Sequence, residues 1–259
     1  MAILEVKGAT FEYEQQGEGP DLVLLHSLLT DRRSFAAVVP ALSRSRRVTV
    51  PSLPGFGRSS PETGSIEARA DRVADFLRGL APGRPLDVLG NGYGGFIAVA
   101  LAARHPGVVR RLVLVDAGAA FPEEGRAPFR SMAAAVRKDG IKAILDGAVR
   151  RIFSEEYLAA HPAAIAERKA VLLEADPAQF AAACDALARV DLRDALQRIS
   201  SPTLVVVGTR DAATPPALAR ELAAGIARAK LVELPGCGHC PPLEQPQELL
   251  RAIEPFLLG

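Results

Sequence analysis

Two side chains suited to moving a proton stand in loops near the end of this chain, Asp211 and His239, and a glycine-rich corner, Gly90-Asn91-Gly92-Tyr93-Gly94-Gly95, precedes them. His239 lies in Pro235-Gly236-Cys237-Gly238-His239-Cys240-Pro241-Pro242. That loop has no apolar periodicity, so packing does not explain the imidazole and a role as base does. Such a base needs a carboxylate on its other ring nitrogen, to hold the tautomer and to stabilise the imidazolium. Asp211 follows an apolar run directly and is the candidate; Asp116, also at the end of an apolar run, is the fallback. At the corner, the run through Leu86, Val88 and Leu89 turns into an Ala/Leu/Val-rich stretch of helical character. Four glycines in six positions mark a tight turn where a Cβ would not fit. A helix that starts there points unpaired N–H groups at the corner, which makes it a natural anion or oxyanion site.

The elements that must position these groups are legible from their patterns. Residues 3–8 and 10–13 alternate apolar and polar, as half-buried antiparallel strands at a sheet edge do. Residues 21–26, 47–50, 86–89, 111–115, 202–208 and 230–234 are nearly continuous apolar runs, expected as strands covered on both faces. Helices are expected over 34–43, 67–80, 96–104, 217–229 and 246–258. Between 118 and 198 the texture is Ala-rich, charged and broken by Pro122, Pro128, Gly140, Gly147, Pro162 and Pro177, with no strand pattern. The reading is a core of residues 1–117 and 200–259, with 118–199 inserted as a helical cap. Phe121, Phe129, Met132, Phe153 and Tyr157 are candidate walls of a pocket, with ordinary packing of cap on core as the alternative for each. Strands alternating with helices imply a mostly parallel, doubly wound α/β sheet, and chemistry then gathers at the carboxyl ends of the strands.

The bulk numbers narrow the function classes. With 31 basic against 30 acidic residues and a net charge of +1, nothing argues for nucleic acid or an anionic membrane as a partner. Arg44-Ser45-Arg46-Arg47 and Arg110-Arg111 are expected to be solvated loop charges. The three cysteines, Cys184, Cys237 and Cys240, are too few for a disulfide scaffold and suit a reducing cytosol. Cys237 to Cys240 has CxxC spacing but lacks a second ligand pair, so no metal is expected, and no cofactor is implied. His105 is expected as a cation at a helix C-terminus, and His26 as a structural hydrogen-bonding residue. The N-terminus lacks a leader pattern and no run reaches the ~18 apolar residues of a membrane span, so the chain is expected to be soluble and cytoplasmic. Its partner is expected to be a small-molecule substrate; the oligomeric state is not written in the sequence.

The corner resembles the nucleophile elbow of the α/β-hydrolase family, Gly-x-Ser-x-Gly, with Gly92 at the serine's position. The resemblance covers nearly the whole chain. Leu24-Leu25-His26-Ser27-Leu28-Leu29 looks like the oxyanion loop, Leu53-Pro54-Gly55-Phe56-Gly57-Arg58-Ser59 like the loop after the next strand, Val207-Gly208-Thr209-Arg210-Asp211 like the acid loop, and Gly238-His239-Cys240-Pro241-Pro242 like the histidine loop. It implies an α/β-hydrolase fold acting on a small carboxylic ester, lactone or related carbonyl compound. It also implies Gly92, Asp211 and His239 at the triad positions and the backbone N–H groups of Leu28 and Tyr93 as the oxyanion hole. Ser27 is assigned to the pocket, since the family uses the backbone at that place, and Ser27 through Asp31 is similar to enol-lactone hydrolases. The departure at Gly92 leaves three readings open. Gly92 is an engineered knockout of the nucleophile of an active serine hydrolase, and this form is impaired; or the glycine is natural and His239 activates water or serves lyase, isomerase or oxygenase chemistry; or the chain is a non-hydrolytic ligand-binding member.

Overall fold

A computed structural model describes residues 1–258. Within them the strands β1 (Ala2–Val6), β2 (Ala9–Gln16), β3 (Asp21–Leu25), β4 (Arg47–Pro51), β5 (Leu86–Asn91), β6 (Val109–Val115), β7 (Thr203–Gly208) and β8 (Ala229–Leu234) form one eight-stranded sheet in the order β1-β2-β4-β3-β5-β6-β7-β8. β1 and β2 pair antiparallel at one edge, and every pairing from β4 to β8 is parallel. The strands from β3 to β7 alternate between two cores. Val23, Leu25, Val88, Leu112, Leu114, Val205 and Val207 face one of them, and Leu22, Leu24, Leu89, Val113, Val115, Leu204 and Val206 the other. That two-sided burial is why their sequences read as continuous apolar runs instead of alternating ones.

The helices are α1 (Val39–Leu42), α2 (Ile66–Leu80), α3 (Tyr93–Arg104), α4 (Glu123–Asp139), α5 (Leu145–Ile152), α6 (Glu155–Ala160), α7 (Pro162–Leu173), α8 (Pro177–Arg189), α9 (Pro216–Gly225), α10 (Pro241–Glu244) and α11 (Pro246–Leu258). α3 is buried from Tyr93 to Ala103, all but its last residue, which is why its sequence is apolar on every side. The helices α4 to α8 lie between β6 and β7, with α4 packed on α8, and the only pairing there is an isolated bridge between Ala120 and Asp191. The helix expected over 34–43 is instead a 3-10 turn at Arg32–Phe35 followed by the short α1. Pro40 sits in the first turn of α1, where a missing N–H does no harm, but the same residue stops a helix from running through from 34. The helix expected over 217–229 ends at Gly225, a turn follows, and β8 begins at Ala229.

The arginine clusters also differ from expectation. Asp87, at the start of β5, is fully buried and receives Arg46 Nη1 at 2.7 Å and both Arg110 Nε and Nη2, at 2.8 and 2.7 Å. Arg46 is itself buried and also donates to the carbonyl of Leu257 in α11. A buried carboxylate without cations would be strongly destabilising, so these guanidiniums are drawn in at the amino-terminal end of the sheet. The opposite end is left to the site. No described helix is long and apolar enough to cross a membrane.

Candidate active site

The chain reverses its winding between β4 and β5, on either side of β3, and the loops leaving β3 and β5 meet at that switch point. After β5 the backbone turns through Gly92, at φ 51° and ψ −116°, into the N-terminus of α3. L side chains rarely adopt that conformation, and Gly92 meets it without a Cβ penalty. Gly94 is required for a different reason: a Cβ there would run into the carbonyls of Leu25 and His26, whose close approach lets Gly94 N donate to His26 O at 3.0 Å.

His239 is brought to this corner by the loop after β8, and Asp211 by the loop after β7. His239 Nδ1 lies 2.9 Å from Asp211 Oδ2, and its Nε2 lies 3.2 Å from Ser27 Oγ. With the carboxylate on Nδ1, that nitrogen carries the proton and Nε2 accepts from the Ser27 hydroxyl. The amides of Ala213 and Thr214 donate to Asp211 Oδ1 at 2.7 and 3.0 Å, and Thr214 Oγ1 lies 2.5 Å from Oδ2. Asp211 is thereby fixed by its own loop. Asp116, the fallback, does not reach the imidazole. Its Oδ1 accepts from Gly208 N at 2.8 Å, its Oδ2 has no partner among the described residues, and burial together with the nearby Asp211 carboxylate pushes its carboxyl well above the usual range.

Asn91 and Thr214 tie these loops together, and neither was visible as a site residue in the sequence. Asn91 Nδ2 donates to the carbonyls of Val115 and His239, both at 3.2 Å, while Cys240 Sγ donates to Asn91 Oδ1 at 3.3 Å. The corner and the histidine loop are thus joined through one buried amide. Cys237 and Cys240 are free thiols whose burial raises their pKa values above the ordinary one, so neither is poised as a thiolate nucleophile. His26 bridges loops as expected, with Nδ1 donating to Ser27 O at 2.9 Å and Nε2 accepting from Leu53 N at 3.1 Å.

A narrow recess opens over Gly92 and His239, walled by Ser27, Leu28, Leu29, Tyr93, Phe96, Phe121, Phe129, Arg151, Leu187, Ala213 and Thr214. The backbone N–H groups of Leu28 and Tyr93 have no protein acceptor among the described residues. Of the aromatic and apolar residues expected in the wall, Phe121 and Phe129 are present. Met132, Phe153 and Tyr157 are not. Met132 belongs to the buried face of α4, and Phe153 stacks on Tyr157 with ring centroids 4.7 Å apart, so their apolar area is spent on packing. Arg151, on α5, is a wall residue the sequence did not reveal. Its guanidinium lies 5.9 Å from the centre of the Phe129 ring, and burial lowers its pKa.

Fold and site together define an α/β hydrolase. The family model described as the alpha/beta hydrolase family matches residues 22–252, and the chain belongs to that family. It is a hydrolase. Among curated proteins it is 33% identical to a pimeloyl-[acyl-carrier protein] methyl ester esterase of Aromatoleum aromaticum, over 93% of this chain and 99% of that protein. Among solved structures it is similar to the enol-lactonase from Burkholderia xenovorans LB400, with a TM-score of 0.92, 32% identity and all of both chains covered. A thermophilic esterase from Thermogutta terrifontis is similar too, at TM-score 0.91 and 31% identity, covering 100% of this chain and 98% of that one.

Proposed function

We propose that the chain hydrolyses a small carboxylic ester or lactone, with His239 as general base, Asp211 holding its tautomer, and the Leu28 and Tyr93 amides receiving the developing oxyanion. The observation that carries this reading is the Asp211–His239 pair, 2.9 Å apart, facing two amides without protein acceptors across a recess at the strand ends. As the acyl carbon becomes tetrahedral, its oxygen gains charge, and preorganised N–H donors stabilise that charge more than they do the ground state. The imidazolium formed by proton uptake is stabilised by buried Asp211. Residues 118–199 act as a cap that supplies the Phe121, Phe129 and Arg151 walls, and the protein works in a reducing cytoplasm.

The Arg151 guanidinium makes no hydrogen bond or ion pair within the described residues, so it suits a substrate whose acyl chain carries a carboxylate. The kinship to an enol-lactonase and to esterases supports ester and lactone chemistry as the class. The test is hydrolysis of p-nitrophenyl acetate, p-nitrophenyl hemisuccinate and an enol lactone by the purified chain and its His239→Ala variant. Turnover that His239→Ala abolishes supports the reading. Absence of turnover on all three, or turnover indifferent to His239, overturns it.

A further inference from the structure

The geometry points to Ser27 as the nucleophile of this enzyme, its hydroxyl delivered from the β3 loop into the space in front of Gly92. This rests on the hydrolase reading above and specifies how that site makes its covalent bond. The strands β3 and β5 pair in parallel up to Leu25 beside Gly90, and the loops that leave them bring Ser27 up against Gly92. A Cβ on Gly92 would overlap Ser27 Oγ and stand 2.7 Å from His239 Nε2. The Ser27 hydroxyl therefore occupies the place that an elbow side chain would fill, and it lies 3.2 Å from the base.

Ser27 is held there by its own backbone. Its carbonyl accepts from His26 Nδ1 at 2.9 Å, Thr30 Oγ1 at 3.2 Å and Thr30 N at 3.3 Å. Ser27, His239 and Asp211 are all buried, so the relay is shielded from water apart from the recess itself. Nucleophile, base and orienting acid then form a continuous chain, Oγ–H to Nε2 and Nδ1–H to Oδ2, as acyl transfer requires.

In the reaction, Ser27 Oγ bonds to the acyl carbon as its proton passes to His239 Nε2. The C–O bond to the alcohol breaks when that proton is returned to the leaving oxygen, leaving an ester on Ser27. Water, deprotonated by His239, attacks this ester, and the proton goes back to Ser27 Oγ as the acid departs. For a lactone, the leaving hydroxyl stays on the product. The steps consume one water and need no other co-reactant.

The experiment is to treat the unsubstituted chain with a fluorophosphonate, map the adduct by peptide mass spectrometry, and measure ester turnover for Ser27→Ala, Ser27→Cys and Gly92→Ser. The expected result is one adduct on Ser27 that His239→Ala prevents, and a loss in kcat of about 10³-fold or more for Ser27→Ala. Ser27→Cys is expected to take a thioester-forming acyl group detectable by mass. Turnover dependent on His239 that survives Ser27→Ala with no adduct, or an adduct on another residue, overturns the proposal and leaves the hydrolase reading standing. Turnover that appears only with Gly92→Ser also overturns it. If neither chain turns over any ester or lactone, the hydrolase reading falls with it.

Discussion

Ser27 Oγ fills the space that a side chain on Gly92 would need, because the loops that leave the paired strands β3 and β5 bring the two residues together. Restoring a serine at the elbow is therefore not a simple repair. Gly92→Ser would place an L residue at φ 51°, a strain of roughly 1–3 kcal/mol, and would force Ser27 Oγ and the His239 ring to give way. We expect a lower melting temperature for Gly92→Ser, partly recovered in Gly92→Ser/Ser27→Ala because the overlap is removed. Thermal denaturation of these two variants, of Ser27→Ala and of the unsubstituted chain checks this. Strictly additive shifts would show that the two positions do not compete.

The two buried aspartates should separate cleanly. Asp211→Asn removes the charge that orients His239, and kcat is expected to fall by about 10⁴-fold with the fold retained. Asp116→Asn is expected to leave kcat within a few-fold, because Asn keeps an oxygen for Gly208 N and tolerates the φ of 47° at this position better than most residues. It is also expected to hold or raise stability at pH 8. Burial raises the folded-state pKa of Asp116, so the stability it contributes is present at low pH and is lost as pH rises through that value. Steady-state kinetics and urea denaturation at pH 6 and 8 would decide, and loss of activity in Asp116→Asn alone would reverse the assignment.

Arg151→Gln tests what the recess binds. A hydrogen bond to a charged group contributes about 1.5–3 kcal/mol, so KM for p-nitrophenyl hemisuccinate is expected to rise about 10- to 100-fold while KM for p-nitrophenyl acetate barely moves. Equal effects on the two esters would remove the case for an anionic acyl chain.

His26 gives the fold a defined acid weakness. Burial lowers its pKa from 6.5 to about 4. The unfolded chain binds the proton first as pH falls, so stability declines from about pH 6.5 and the full loss, roughly 3 kcal/mol, is reached below about pH 4. In urea titrations at pH 7.5, 5.5 and 4.5, the stability gap between the unsubstituted chain and His26→Gln is expected to narrow toward acid. Parallel pH profiles would show that the imidazole does not carry this dependence.

Much of the fold was legible because its covered strands are short, apolar and bounded by turn residues. The approach of Asp211 to His239 followed from chain order and from loops that leave strand ends. What the sequence hid were groups whose meaning depends on a distant partner. Arg46 looked like a solvated charge because Asp87, which it neutralises, lies 41 residues away. Asn91 gains its role only when the loop after β8 folds over it, and Arg151 only when α5 brings it to the recess. Ser27 was read as a pocket residue, and its approach to Gly92 and His239 is visible only in the fold, because both neighbours are distant in sequence. For Met132, Phe153 and Tyr157 the sequence left pocket wall and packing open, because an aromatic or thioether in a helix reads the same whether it faces a ligand or a neighbouring helix.

The chain leaves the sheet at the end of β6, and Ala120 bridges Asp191 before it returns to the adjacent strand β7, so everything from α4 to α8 is a detour hung from two neighbouring points. Arg151 and Phe129 belong to that detour, whereas Ser27, Asp211 and His239 belong to the loops that follow β3, β7 and β8, outside it. On the proposed reading, selectivity and reactivity are inherited on separate stretches of the gene, and a descendant could trade one diet for another by redrafting residues 123–189 while its proton relay stayed untouched.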